Sequence, residues 1–131
     1  MACCICEFYA TSERGIDVAV TLNNRTLVTV YGGSGFLGRY LVRAIARTGA
    51  RVRVAVRRPD LAGHLQPLGG VGQIVPVQAN VRYPDSLVTA AEDANAVVNL
   101  VGILFASGKQ TFKTVQDEGA RNVAEAAKAA G

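Results

Sequence analysis

The sequence predicts the first half of a doubly wound α/β fold, with a parallel sheet of about four strands interleaved with helices over residues 26–131. Three observations carry that expectation. Short runs rich in β-branched residues alternate with stretches of three- and four-residue apolar spacing. A cluster of glycines closes the first of those runs. Fourteen glycines against four prolines in 131 residues favour tight turns between regular elements. The length is that of one domain, and 50% hydrophobic against 18% charged residues leaves enough apolar surface for a sizeable core. No apolar run approaches the roughly 20 residues of a membrane-spanning helix. The best, Ala94 to Ala106, is interrupted by Asn95, Asn99 and Gly102.

Leu27-Val28-Thr29-Val30-Tyr31 reads as the first strand and runs into Gly32-Gly33-Ser34-Gly35. A helix follows, with Leu37, Leu41, Ala44, Ile45 and Thr48 on its apolar face and Gly49 as its stop. Arg51 to Val56 alternates as a second strand, which Arg57-Arg58-Pro59-Asp60 ends. A short helix is placed before the Gly/Pro-rich stretch His64 to Gly72. Ile74 to Gln78 reads as a third strand, and Pro76 assigns it an edge position. Asp85 is positioned to cap a helix to about Asp93, ahead of a strand at Ala96 to Val101. The last helix, about Thr111 to Ala130, aligns Phe112, Val115, Gly119, Val123, Ala126 and Ala130, with Gly131 at its end. Alternation of this kind needs crossover connections, hence a parallel sheet with right-handed crossovers. The strand at 96–101 is expected to leave an open edge.

Residues 1–25 read as an appendage, poorly ordered. Their cysteines, Cys3, Cys4 and Cys6, are too close together to staple a fold, and no second CxxC or HxxxH completes a zinc site. A reduced cluster and no metal are expected. Glu7, Glu13 and Asp17 argue against a transit peptide, so an intracellular location is expected. Fourteen basic and ten acidic residues give a formal charge of +4, and seven arginines fall between Arg39 and Arg58. With 6% aromatics and no Trp, a nucleic-acid partner is not expected. A small polyanionic ligand fits better.

Gly33-Ser34-Gly35-Phe36-Leu37-Gly38 matches G-x-G-x-x-G, and a strand precedes it and a helix follows. In that context the first glycines allow the turn, Gly35 lets the backbone approach a pyrophosphate, and Gly38 lets the helix pack closely. The pyrophosphate would meet unpaired N–H groups at the positive end of the helix. No Gly-Lys-Ser/Thr follows, so the loop is not of the Walker type. The second strand ends in Arg57 and Arg58, where a carboxylate would hold a ribose 2′-hydroxyl and an arginine accommodates a 2′-phosphate. NADP(H) is therefore expected ahead of NAD(H), the alternative. Arg39, Arg43 and Arg47 are expected on a solvated helix face, with a partner or acidic lipid surface as the sharper alternative. His64 is expected to be structural.

With these residues in view, the chain resembles the extended or atypical branch of the short-chain dehydrogenase/reductase superfamily over about residues 26–131. Gly32-Gly33-Ser34-Gly35-Phe36-Leu37-Gly38 is similar to its T-G-x-x-G-F-x-G, with Tyr31 in place of the threonine. The resemblance implies that Asn80-Val81 lies against the adenine, where Asp-Val is usual. It implies that Leu100-Val101-Gly102, after Asn99, lines the cofactor as an N-A-G-like turn does. It matches Gly119 and Asn122 to a G-x-x-N in the following helix. A narrower resemblance is to the nucleotide-binding accessory subunit of respiratory complex I and its bacterial relatives. It rests on His64-Leu65-Gln66-Pro67-Leu68-Gly69, Gly72-Gln73 and Val98-Asn99-Leu100-Val101-Gly102. That resemblance implies tightly held NADPH and complex I subunits as partners. It implies the mitochondrial matrix in a eukaryote, or the bacterial cytoplasm at the inner face of the inner membrane.

Catalytic members of the superfamily carry Y-x-x-x-K, in which the lysine lowers the pKa of a tyrosine acid. Tyr9, Tyr31, Tyr40 and Tyr83 all lack a lysine four residues on. No catalytic residue is therefore assigned, and the chain reads as a fragment of a longer protein, ending before the catalytic and substrate half. A nucleotide-binding module is expected. The alternatives are the N-terminal part of an NAD(P)-dependent reductase, epimerase or dehydratase, and an interaction protein that binds no nucleotide.

Overall fold

The computed structural model describes residues 8–9, 21–103 and 111–131. Strand β1 is Phe8–Tyr9, β2 is Leu27–Tyr31, β3 is Arg51–Val56, β4 is Ile74–Gln78 and β5 is Ala96–Asn99. Helix α1 spans Phe36–Arg47, α2 Pro84–Ala91 and α3 Glu118–Ala129. A 3-10 segment at Pro59–Leu68 precedes β4, and a π-helical turn at Lys113–Asp117 leads into α3. The sheet order is β1-β5-β2-β3-β4, and β5, β2, β3 and β4 are mutually parallel. The expected doubly wound α/β arrangement of four parallel strands is what forms.

Two cores explain why the central strands read as continuous apolar runs. Val28 and Val30, Val52 and Val54, and Ala96 and Val98 face one side, under Val42, Ile45 and Ala46 of α1. Tyr31, Ala55 and Val97 face the other, under Leu87 of α2 and Val123 and Ala126 of α3. Polar strand residues on this second side act as helix buttresses. Thr29 Oγ1 donates to the Ala90 carbonyl at 2.9 Å, and Tyr31 Oη donates to the Leu87 carbonyl at 2.6 Å. Arg53 Nη1 donates to the carbonyls of Ala90 (2.8 Å) and Glu92 (2.7 Å), at the end of α2 where carbonyls lack intrahelical partners. Burial pushes the Tyr31 phenol well above its ordinary range, against the opposing charge of Arg53.

The structure departs from the sequence reading in several places. The inward face of α1 is Gly38, Val42, Ile45 and Ala46, while Leu37 and Ala44 are exposed and Leu41 is half-buried. The contact made by Gly38 at the start of α1 sets this phase. Helix α2 starts at Pro84, whose fixed φ suits the first helical position, so Asp85 lies in the first turn and no side chain caps the end. Phe112 is exposed although Val115, Gly119, Val123 and Ala126 are buried as expected. Gly49 does close α1, at φ +88°, and Pro76 lies on β4, which pairs only with β3 among the described strands. β5 is not an open edge, because Phe8 and Tyr9 pair antiparallel with Val98 and Val97. Residues 21–25 lead into β2 through a turn in which the Arg25 N–H donates to Asn23 Oδ1 at 2.8 Å. Cys3, Cys4 and Cys6 lie outside the described residues. No described helix is long and apolar enough to cross a membrane.

Candidate functional site

The chain steps from β2 outward through β3 to β4, and α2 then returns it to β5 on the opposite side of β2. In open α/β sheets ligands bind beyond the strand ends at such a reversal. A cleft of about 420 Å³ lies there. Its walls are the turn Gly32, Ser34 and Gly35, the end of β3 at Val56 and Arg57, residues 79–82 after β4, and residues 100–103 after β5. Tyr31, Ala55 and Val115 complete it, and no carboxylate among the described residues lines it. A shallower depression shares Ser34, Val56 and Arg57 with the cleft and adds Arg58 and Leu61.

The glycines divide their work. Gly32 adopts φ +74°, and a Cβ there would lie 3.0 Å from the Leu100 carbonyl carbon, so the turn needs both its left-handed backbone and its lack of a side chain. Gly33 packs into the core, where a Cβ would come within 2.9 Å of Val54 Cγ1. Gly38 sits on Gly33 itself, with a Cβ position 2.5 Å from that residue's carbonyl carbon and oxygen. Gly35 alone of this set is exposed. It precedes α1 in an extended conformation (φ −70°, ψ 178°) and supplies no side-chain cap, and the first turn holds no acid. The N–H groups that begin a helix have no intrahelical acceptor, so the positive end of α1 is open to a ligand anion.

Of the residues singled out from sequence, the cleft gathers Gly32, Ser34, Gly35, Arg57, Asn80, Val81, Leu100, Val101 and Gly102. Gly33 and Gly38 lie beneath it as packing residues. Phe36 (73% exposed) and Leu37 (45%) turn their side chains outward, so only their main-chain amides are placed to contribute. Phe36 meets Tyr40 edge-on at 5.6 Å. Arg58 borders the neighbouring depression and pairs with Asp60 at 3.1 Å. His64 is exposed, its Nδ1 3.0 Å from the Leu61 carbonyl oxygen, and Arg39, Arg43 and Arg47 are exposed on α1. The seven arginines are divided among α1 (Arg39, Arg43, Arg47), β3 (Arg51, Arg53) and the segment after β3, where Arg57 and Arg58 share one depression.

Arg82 was not anticipated. It lines the cleft, with its guanidinium 5.7 Å from the Tyr83 ring centre. Its signal in the sequence was its place two residues after Asn80. The G-x-x-N of α3 has a visible purpose, since Gly119 lets the helix approach Val81 and Asn122 Nδ2 donates to the Val81 carbonyl at 2.8 Å. Asn99 Oδ1 accepts the Val101 N–H at 3.1 Å and shapes the turn after β5. Among the described residues no group of three His, Cys, Asp or Glu could hold a metal.

An open helix N-terminus, a glycine turn and a cleft at the reversal of a doubly wound sheet define a nucleotide-binding Rossmann domain. The chain belongs to the NAD(P)H-binding family, whose model matches residues 32–131. It is 37% identical over 103 residues to the mitochondrial NADH dehydrogenase (ubiquinone) 1 alpha subcomplex subunit 9 of Arabidopsis thaliana, covering 78% of this chain and 26% of that protein. The rat protein of the same name is 35% identical over 134 residues, covering 95% of this chain and 35% of its own length. A ceramide reductase of Caulobacter vibrioides is 37% identical over 107 residues, covering 82% and 32%. The chain therefore spans about a quarter to a third of these relatives. The same fold occurs in uronate dehydrogenase from Agrobacterium tumefaciens, solved with NAD (TM-score 0.60, 24% identity, 79% of this chain and 37% of that one). It also occurs in a short-chain dehydrogenase from Bacillus anthracis (TM-score 0.69, 21% identity, 81% and 50%). The likeness to the solved dehydrogenases is one of fold, and the family relationship shown is that of the NAD(P)H-binding family.

Proposed function

We propose that this chain is a binding module that holds NADP(H) in preference to NAD(H), in the manner of a complex I accessory subunit. The observation that carries the preference is Arg57, shared with Ser34 between the cleft and the depression where Arg58 lies, with no carboxylate among the described residues of either lining. A guanidinium pairs with a phosphate in two parallel hydrogen bonds, whereas a carboxylate at this place would repel it. The Arg58–Asp60 pair is exposed, and such pairs contribute little, so Arg58 can exchange that partner for a phosphate. In this reading the amides from Gly35 to Gly38 meet the diphosphate, Asn80 and Val81 meet the adenine, and Leu100, Val101 and Gly102 line the path to the nicotinamide. Complex I subunits are the macromolecular partners, in the mitochondrial matrix in a eukaryote.

Calorimetry tests the preference. Arg57→Ala with Arg58→Ala should weaken NADPH more than tenfold and leave NADH nearly unchanged, and equal losses overturn the 2′-phosphate assignment. A second reading, a reductase, is favoured by the equally similar ceramide reductase. It requires loss of NADPH absorbance in the presence of a ketone substrate.

A further inference from the structure

The charge of this molecule is divided between the two faces of its sheet. Between Asp17 and Asp60 the sequence holds eight arginines and no acidic residue. That stretch supplies α1, which covers one face of the sheet. The helices on the other face carry acids, with Asp85 on α2, Glu92 and Asp93 after it, and Glu118 and Glu125 on α3. Helix α1 turns Gly38, Val42, Ile45 and Ala46 to the core. Opposite them Phe36, Tyr40, Arg43 and Arg47 recur at intervals of four, three and four residues, which aligns them in one exposed stripe about 16 Å long. Arg39 flanks the stripe with its guanidinium 5.9 Å from the Phe36 ring centre. None of these three arginines has a carboxylate partner among the described residues. No side chain of α1 lines the cleft or the neighbouring depression, and the stripe is a ridge on the surface.

We propose that this face of α1 rests on an anionic lipid surface, with Arg39, Arg43 and Arg47 on headgroup phosphates and the Phe36 and Tyr40 rings at headgroup depth. Two observations select a bilayer over a protein bearing carboxylates. A ridge needs a matching hollow in a protein, whereas a layer of headgroups moulds itself to an amphipathic helix lying in its plane. Exposed rings beside cations also suit the membrane–water boundary, where an aromatic body sits in an apolar layer and its tip stays wet. The arginines reach out over apolar stems and pair with phosphate in two parallel hydrogen bonds. The helix need not leave the sheet, because Val42 and Ile45 hold it there while the stripe faces outward. This contact does not depend on what the cleft holds.

Flotation of the intact chain with vesicles of phosphatidylcholine, with and without phosphatidylglycerol, tests the contact. Only the anionic vesicles should carry the chain, and partitioning should fall steeply as salt is raised. Each arginine near an anionic surface contributes about fivefold, so Arg39→Gln with Arg43→Gln and Arg47→Gln should lose about 100-fold. Glutamine has the helix propensity of arginine, so α1 is retained. Lys113→Gln with Arg121→Gln and Lys128→Gln removes the same charge from the other face and should change partitioning by less than about threefold. Equal losses in the two triple variants mean that net charge alone is at work, and they overturn the proposal. The chain has no Trp, so Tyr40→Trp is a sole reporter. Its emission should move to shorter wavelength on anionic vesicles, while that of Phe112→Trp, also at an exposed position, should not. No shift at position 40, or equal shifts at both, overturns it as well. Failure of the native chain to float with anionic vesicles does the same and makes a carboxylate-bearing protein the occupant.

Discussion

Alanine at position 38 separates two opposing effects of known size. Within a helix, alanine is favoured over glycine by up to about 1 kcal/mol, so propensity alone predicts a more stable protein. The structure predicts the reverse. The new Cβ would lie 2.5 Å from the Gly33 carbonyl carbon and oxygen, which is roughly 1 Å inside ordinary contact. Both atoms are backbone, and Gly33 is itself wedged against Val54, so no side-chain rotation relieves the overlap. Overpacking of this kind costs up to about 3 kcal/mol, leaving a net destabilisation of about 2 kcal/mol and a fall in Tm of about 8 °C. Relief comes from moving the start of α1 away from the turn, so NADPH affinity should also fall, by tenfold or more. Urea and thermal unfolding followed by circular dichroism measure the first effect and calorimetry the second. Gly63→Ala is the control, because nothing lies within 4 Å of its added Cβ. A Gly38→Ala protein as stable as the native one would refute the assignment of Gly38 as a contact glycine.

Tyr31→Phe removes the 2.6 Å hydrogen bond to Leu87 and should cost about 1 kcal/mol at neutral pH. Because burial raises the Tyr31 pKa in the folded state, its contribution is fully present below about pH 10, where the unfolded phenol begins to ionise. It is lost as pH rises beyond that towards the raised folded value, at up to about 1.4 kcal/mol per pH unit. Urea titrations from about pH 8 to about pH 11 should show a smaller alkaline loss in the phenylalanine variant, and identical slopes count against it. Asn122→Ala leaves the Val81 carbonyl without its donor, so stability should drop by about 1–2 kcal/mol. Amide exchange at residues 80–82 should quicken, and an unchanged rate means that α3 does not hold this loop. Salt should distinguish guanidinium from amide contacts. Exposed arginines are screened over about 10 Å at 0.1 M salt, so NADPH should lose affinity with salt more steeply than NADH, and parallel slopes contradict the role of Arg57.

The strand order and the place of the cleft were legible because they follow from local signals. The apolar runs at 27–31 and 96–99 carry residues for both sheet faces, and the glycines between β2 and α1 mark the bend. What was not legible depends on three-dimensional contact. The inward face of α1 is set by Gly38 resting on Gly33, and periodicity alone placed Leu37 and Ala44 inward instead. Arg53 looks like a polar residue of an alternating strand and is in fact the partner of carbonyls 37 and 39 residues away. Its long aliphatic stem lets it lie on a sheet face while the head reaches a helix end. Arg82 was missed because an arginine in a loop is ordinarily solvated, and only the return of the chain from β4 brings it to the cleft. Pairing of Phe8 and Tyr9 with β5 joins residues about 90 apart, a separation that no local pattern encodes.

The shape of the cleft is set by packing before any polar contact is made. Gly32 brings the β2–α1 turn against the backbone after β5, and Gly33 brings the same turn against β3. Those two contacts tie the turn to both neighbours of the central strand. Gly38 then fixes the direction of α1 relative to it, with no flexible side chain in between. Gly35 is the one glycine of the four with little to pack against, since its added Cβ would approach only the Gly32 carbonyl, at 3.3 Å. Its exposure beside the free amides of α1 makes an anion the natural occupant. Three of the glycines are thus explained by packing alone, and the proposed diphosphate contact gives the exposed fourth its use.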